Sequence, residues 1–175
     1  MAEAILAGGC FWCTEAVFGQ LAGVSKVESG YIGGPGDNPT YKQVCSGTTM
    51  HAEAIRVTFD PAVISYADLL DVFFATHDPT QLNRQGGDIG TQYRSAVFVV
   101  DGNERGDIEA AITRAQAERS EPIVTTIEGP ATWWPAEDYH QEYWDGEGQR
   151  NPYCLAVIPP KLAKLRKGFA DRLKA

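Results

Sequence analysis

Short strand patterns and helical patterns are interleaved along this chain, and this order restricts the folds it can adopt. Strands are expected at residues 4–7, 24–31, 52–59, 95–100, 123–127 and 155–158. Helices are expected at 10–21, 65–76, 108–115, 136–144 and 162–173, with a long Gly-rich loop at 78–92. The strands do not alternate strictly with helices. We therefore expect an α+β fold of two layers, a mixed sheet with a ferredoxin-like core and helices packed on it.

Size and charge limit the possible functions. The 175 residues predict a single catalytic domain over 1–175, with a full hydrophobic core. There is no apolar run of about 20 residues and no export signal at the start, so no membrane association and a cytoplasmic location are expected. The net charge of −8 disfavours nucleic acid as a partner. We expect a monomer. The basic segment 161–174 is interpreted as a solvated helix face.

Two cysteines close to the N-terminus indicate sulfur chemistry. Cys10 follows two glycines and begins a helical pattern, and a helix N-terminus lowers the pKa of a thiol. Cys10 is therefore the expected nucleophile. Cys13 lies one turn later, at about 5–6 Å between Cβ atoms, whereas a disulfide prefers about 3.5–4.5 Å. A bond between them is feasible, strained and easily reduced.

Three functions remain open for this pair. A Cys-x-x-Cys segment can exchange disulfides as in thioredoxin-like proteins, or it can provide half of a zinc site. Zinc would need Cys45, His51 or Cys154 to complete it, and no second Cys-x-x-Cys is present. The third function is nucleophilic catalysis on a bound substrate. The bulky pair Phe11-Trp12 favours it, because these side chains can form a substrate pocket beside the nucleophile. No metal is expected. No glycine motif for a nucleotide is present, so no cofactor is expected either.

Five segments together resemble the A-type peptide methionine sulfoxide reductases. They occur in the family's order and extend over most of the chain: Gly9-Cys10-Phe11-Trp12, residues 41–53, His77-Asp78-Pro79-Thr80, residues 88–95, and residues 137–143. The resemblance implies reduction of the S-epimer of methionine sulfoxide, free or in proteins, with thioredoxin as the reductant.

The resemblance also assigns roles to individual residues. It implies that Cys10 attacks sulfur and that Glu53 donates a proton to the departing oxygen. A carboxyl group in an apolar pocket has a raised pKa and can stay protonated. Further substrate-binding positions are implied at Phe11 and Trp12 for the S-methyl group, Tyr41 and Tyr93 for the oxygen, Asp88 on the polar side, and His140 and Tyr143 along the cleft.

Two cysteines are candidates for the thiol that resolves the sulfenic acid on Cys10. Cys154 aligns approximately with a recycling cysteine of other members, which usually carry Gly in place of Cys13 and have a mobile Gly-rich tail. Here 155–158 reads as a strand, which would restrain Cys154. Cys13 is favoured because helical spacing places it beside Cys10. Cys45 is expected to be structural.

Overall fold

The computed structural model describes residues 1–175 and contains both element types in an interleaved order. The strands are β1 Ala2–Gly8, β2 Val24–Ile32, β3 Ala52–Phe59, β4 Arg84–Gln85, β5 Asp88–Ile89, β6 Ser95–Phe98, β7 Thr126–Glu128 and β8 Trp134–Pro135. The α-helices are α1 Phe11–Phe18, α2 Tyr41–Cys45, α3 Tyr66–Thr76, α4 Arg105–Gln116 and α5 Pro152–Gly168. None of the helices combines the length and the apolar character that crossing a bilayer requires.

Six strands form one mixed sheet in the order β7-β6-β1-β3-β2-β8. All neighbouring strands in this sheet are antiparallel except β6 and β7, which are parallel. The chain passes through β1, α1, β2, β3, α3 and β6 in that order, which is a ferredoxin-like βαββαβ core. The expected α+β fold is confirmed. Strands β4 and β5 form a separate two-residue hairpin within the loop 78–92.

The alternation of side chains along β3 places a carboxyl group on the helix-covered face of the sheet. Ile55, Val57 and Phe59 belong to the main core cluster, whereas Ala52 and Ala54 belong to a smaller cluster. Successive strand residues point to opposite faces, so Glu53 shares the face of Ile55. A residue that looks like a surface acid in the sequence is thereby buried under the helices.

Helix α5 corrects the expected strand at 155–158. Asn151 caps this helix by accepting hydrogen bonds from two backbone N–H groups, and Pro152 occupies its first turn. The buried residues recur at helical spacing: Cys154, Ile158, Leu162 and Leu165. The prediction was wrong because a short apolar run such as 155–158 reads equally as a buried strand or as part of a buried helix. The helix continues through the tandem prolines 159–160. The apolar face packed against α1 outweighs the backbone hydrogen bonds that the prolines lose.

Of the other local predictions, some are confirmed and some are wrong. The helix expected to start at Ser65 is confirmed, with a capping box in which Ser65 and Asp68 satisfy each other's backbone N–H groups. The helix expected at 136–144 is wrong, because only Asp138–His140 forms a 3-10 turn. Helix α2 was not expected. Thr40 and Gln43 form its capping box.

Candidate active site

A sharp turn between β1 and α1 presents the first thiol. Gly9 lies at a φ of +96°, and a Cβ atom there would be 2.7 Å from the Gln85 side chain. Only glycine satisfies both constraints. Cys10 then occupies the N-cap of α1 in an extended conformation, and its carbonyl accepts from the N–H groups of Cys13 and Thr14. The turn therefore holds Cys10 at the open end of the helix.

The pKa of Cys10 differs from the expectation based on its position in the helix. A hydrogen bond to Cys13, burial and the charge of Glu53 all raise the pKa of Cys10 well above its ordinary value. The N–H of Trp12 acts in the opposite direction, as a helix N-terminus should, but its effect is smaller. The expected lowering was wrong because the hydrogen bond to Cys13 and burial, which leaves Cys10 only 9% exposed, outweigh the effect of the helix N-terminus. The raised pKa favours the neutral thiol of Cys10 in the free protein.

Cys13 is the more acidic thiol of the pair. The hydrogen bond from Cys10 lowers the pKa of Cys13, and the ammonium of Lys161 and the hydroxyl of Tyr153 act in the same direction, against the effect of burial. Both of these groups come from α5. The one O–H of Tyr153 donates to the Asp88 carboxylate. Helix α5 therefore supplies two polar groups to the thiol pair, and sequence reasoning missed both.

Glu53 provides a carboxyl group immediately beside the nucleophile. It is 1% exposed, and its Oε1 accepts from the backbone N–H of Phe11 at 3.2 Å. Its Oε2 is buried without a hydrogen-bond partner. Burial raises the pKa of Glu53 to about 8, and the charge of Asp88 adds to the effect. Glu53 is therefore mostly protonated at neutral pH, and the free oxygen can carry a transferable proton.

Aromatic rings form a continuous wall next to Cys10. Trp12 stacks on Tyr143 with ring centroids 4.0 Å apart, and its Nε1 donates to His140 Nδ1 at 3.1 Å. Phe11 and Tyr41 stack at 6.3 Å, and His140 lies 4.3 Å from the Tyr41 ring. The structure thus brings together all five of these residues expected at the substrate site. Such a wall suits an apolar group.

Two tyrosine hydroxyls supply neutral polar groups near the carboxyl. Burial raises the pKa of Tyr41 and of Tyr93, and the charge of Glu53 also contributes to both shifts. Tyr41 is fixed by Glu137, which accepts from the Tyr41 backbone N–H at 2.9 Å and from the Tyr31 hydroxyl at 2.8 Å. Neutral phenols can donate hydrogen bonds to an oxygen without adding charge.

Glu15 holds the aromatic wall from behind. It is buried on α1, where it accepts from the Ser29 hydroxyl and from the backbone N–H of Tyr143, each at 3.2 Å. Burial raises its pKa to about 7. Glu142, the residue before Tyr143, has a φ of 52°, which is a strained backbone conformation. The hydrogen bond from the Tyr143 N–H to Glu15 therefore fixes a strained turn. Neither Glu15 nor Glu137 was identified from the sequence, because each acts through contacts distant along the chain.

The remaining cysteines lie in different surroundings. Cys154 is fully buried in α5, and burial raises its pKa to about 11. Cys45 is exposed at the end of α2, within hydrogen-bonding reach of Tyr41. No three His, Cys, Asp or Glu side chains are arranged to hold a metal ion. The zinc alternative therefore has no support in this structure.

Known proteins resemble the chain over almost its whole length. The family model described as Peptide methionine sulfoxide reductase matches residues 2–173. A protein named Peptide methionine sulfoxide reductase MsrA from Erwinia tasmaniensis is 70% identical over 167 residues, covering 95% of this chain and 94% of the relative.

Solved structures show the same fold. Mxr1 from Saccharomyces cerevisiae in reduced form has a TM-score of 0.78 at 35% identity, covering 85% of this chain and 86% of that chain. The structure of Mxr1 in complex with Trx2 matches with a TM-score of 0.55 at 24% identity, covering 81% and 84%.

Proposed function

This chain belongs to the peptide methionine sulfoxide reductase family, and from that premise we propose that it reduces the S-epimer of methionine sulfoxide to methionine, either free or within oxidised proteins and peptides. One observation carries the proposal most directly. A buried carboxyl group with a raised pKa, Glu53, accepts a hydrogen bond from the residue that follows the thiol Cys10. A proton donor and a nucleophile are thus adjacent in one pocket.

The site residues support a division of roles around the sulfoxide. Phe11 and Trp12 hold the S-methyl group against the aromatic wall, and the hydroxyls of Tyr41 and Tyr93 bind the oxygen. Cys10 attacks sulfur while Glu53 protonates the departing oxygen, which ends on the Cys10 sulfur. The products are methionine and a sulfenic acid on Cys10. One enzyme reduces one epimer, because the apolar and polar sides of the pocket fix the orientation of the substrate.

A neutral Cys10 has to lose its proton before it attacks. The pKa of Cys13 is lowered, and Cys10 donates a hydrogen bond to it, so Cys13 accepts the proton of Cys10 as the new bond forms. The Lys161 ammonium favours the thiolate form of Cys13, the form that accepts this proton. At neutral pH Glu53 is mostly uncharged, which removes its repulsion of the Cys10 thiolate.

Cys13 is also the proposed resolving thiol. Its sulfur attacks the sulfenic acid, a Cys10–Cys13 disulfide forms, and water leaves with the proton that Cys13 carried. The competing cysteine, Cys154, is fully buried in a helix and has a raised pKa, so it is less often a thiolate.

Thioredoxin is the proposed reductant of this disulfide. The structure of Mxr1 in reduced form matches this chain at 35% identity. Mxr1 has also been solved in complex with Trx2. The cytoplasm is the proposed location, because its thiol systems keep a reactive pair such as Cys10 and Cys13 reduced.

The separate epimers test the proposed reaction. The protein is incubated with either the S or the R sulfoxide of N-acetylmethionine and with dithiothreitol, and the reduced product is quantified. We expect reduction of S alone and no activity for Cys10→Ser, whereas Cys45→Ser, which changes an exposed thiol, retains activity. Loss of neither epimer would contradict the proposal. Insulin reduction without sulfoxide reduction would instead favour general disulfide exchange.

The resolving cysteine is tested under turnover with thioredoxin. Cys13→Ser should lose recycling while still releasing one equivalent of methionine in a single turnover. Cys154→Ser is the matched control and should recycle normally. Loss of recycling in Cys154→Ser alone would assign the resolving role to Cys154.

A further inference from the structure

A cavity of about 310 Å³ reaches the two active-site thiols from the side of α5. Cys10, Cys13 and Tyr153 line its inner part, and Lys161 and Lys164 line its α5 side. The opposite rim is the glycine-rich hairpin connection that follows Gln85. No acidic side chain lines it, although the protein as a whole has a net charge of −8.

A second cavity of about 180 Å³ continues this one along the surface. The two share Gln85, Pro160, Lys161 and Lys164, and the second adds Arg119. Its one acid, Asp78, already pairs with Arg119 at 3.7 Å. We call the two cavities together, lined by Cys13, Lys161, Lys164 and Arg119, the cationic groove. Its combined size is in the range of small-molecule sites.

The cationic groove is distinct from the proposed substrate side. Phe11, Trp12, Tyr41, Glu53 and His140 line neither of its cavities. The cavity that reaches the thiol pair is therefore lined by α5 and the hairpin and not by the aromatic wall. A second molecule can reach the sulfurs without crossing the methyl-binding wall.

We propose that the cationic groove binds a small thiol bearing carboxylate groups, which reduces the Cys10–Cys13 disulfide directly. The inference rests on the proposed function, because that reaction generates the disulfide. The lysine ammonium groups attract the carboxylates and raise the local concentration of the thiolate at the buried sulfurs. Dithiothreitol has no carboxylate and gains nothing from the groove.

The reduction requires two molecules of the thiol. The first, as a thiolate, attacks Cys13 Sγ, the Cys10–Cys13 bond breaks, and Cys10 leaves and takes up a proton. The second attacks the bound thiol's sulfur in the mixed disulfide, releasing Cys13 and a symmetrical disulfide. Two electrons pass to the protein, and each thiol gives up one proton to a cysteine.

Glutathione is the probe for the test, and all variants carry Cys45→Ser so that the exposed thiol does not react. Turnover of the S sulfoxide is measured with glutathione, glutathione diethyl ester, dithiothreitol or thioredoxin. Lys164→Gln should lower kcat/KM for glutathione about threefold and Lys164→Glu about tenfold, with less effect at high salt. Lys167→Glu is the matched control, since Lys167 is exposed on the same helix outside the groove.

The comparison among reductants separates the possible failures. Unchanged dithiothreitol turnover with no glutathione turnover would overturn the inference and leave the proposed function intact. Absence of turnover with every reductant would overturn the proposed function. Equal losses with glutathione and its diethyl ester would also contradict the inference. A loss with thioredoxin alone would show that the groove serves a protein reductant instead.

Discussion

Replacing Glu53 by Gln removes the proposed proton donor and changes little else. Gln has almost the same shape, and its Oε1 can still accept from the Phe11 N–H, as the carboxyl does at 3.2 Å. The amide cannot transfer a proton to the sulfoxide oxygen. Loss of a positioned general acid costs about 10²–10⁴-fold in rate, so we expect the release of methionine in a single turnover to slow by that factor.

The pKa of Glu53 sets the pH dependence of the same step. With a pKa of about 8, roughly nine-tenths of the carboxyl groups are protonated at pH 7 and about one-tenth at pH 9. The wild-type single-turnover rate should therefore fall about tenfold per pH unit above pH 8, as far as proton donation limits it. The Glu53→Gln variant should lack this decline.

Stability should fall with rising pH, as activity does. Burial raises the pKa of Glu53 from 4.5 to about 8, so its neutral form favours the folded state. That contribution is complete below about pH 4.5 and is lost as pH rises through 8. Between pH 5 and pH 9 the wild type should lose about 4 kcal/mol of free energy of unfolding relative to Glu53→Gln.

Two measurements check this reasoning. Rapid-quench kinetics between pH 6 and pH 10 follow the first equivalent of methionine, and urea unfolding at pH 5, 7 and 9 follows the stability difference. A wild-type rate independent of pH across 7–9, or a variant at nearly full rate, would refute the role of Glu53. An unchanged stability difference across the pH range would refute its buried, neutral state.

Three further substitutions have expected results. Trp12→Phe loses the bond to His140, so KM for the sulfoxide should rise several-fold with kcat changed less, measured by steady-state kinetics. Tyr153→Phe loses the hydroxyl shared with Asp88, and thiol alkylation should show a higher pKa for the active-site pair; an unchanged alkylation profile would contradict this. Asn151→Ala removes the cap of α5 and should lower the free energy of unfolding by about 1 kcal/mol in urea titrations, with no change expected for the conservative Asn151→Asp.

The sequence was most informative where local patterns agree with tertiary packing. The strands β2 and β3 and the helix starting at Ser65 were predicted within a residue or two, because alternation and a capping box are local signals. Helix α5 was missed over its first turns. Asn151-Pro152 is a helix-start signal that could have predicted it, but the apolar run 155–158 was interpreted as a strand.

Some residues of the site could be predicted from the sequence and others could not. Motif resemblance identified Cys10, Glu53 and the aromatic residues, which the structure brings together. It could not identify Tyr153 or Lys161, because their roles depend on how α5 packs on α1. The pKa of Cys10 could not be predicted either. Position at a helix start lowers a thiol pKa, but here the hydrogen bond to Cys13 and the depth of burial outweigh it, and both are properties of the folded structure.

Identification of the oxidised product after one turnover tests the central claim most directly. The reduced protein is mixed with one equivalent of the S sulfoxide without reductant, and the disulfides are mapped by peptide mass spectrometry after alkylation. One equivalent of methionine and a Cys10–Cys13 disulfide are expected, with no change for the R epimer. A Cys10–Cys154 disulfide would contradict the assignment of the resolving thiol, and methionine release without oxidation of Cys10 would contradict the mechanism itself.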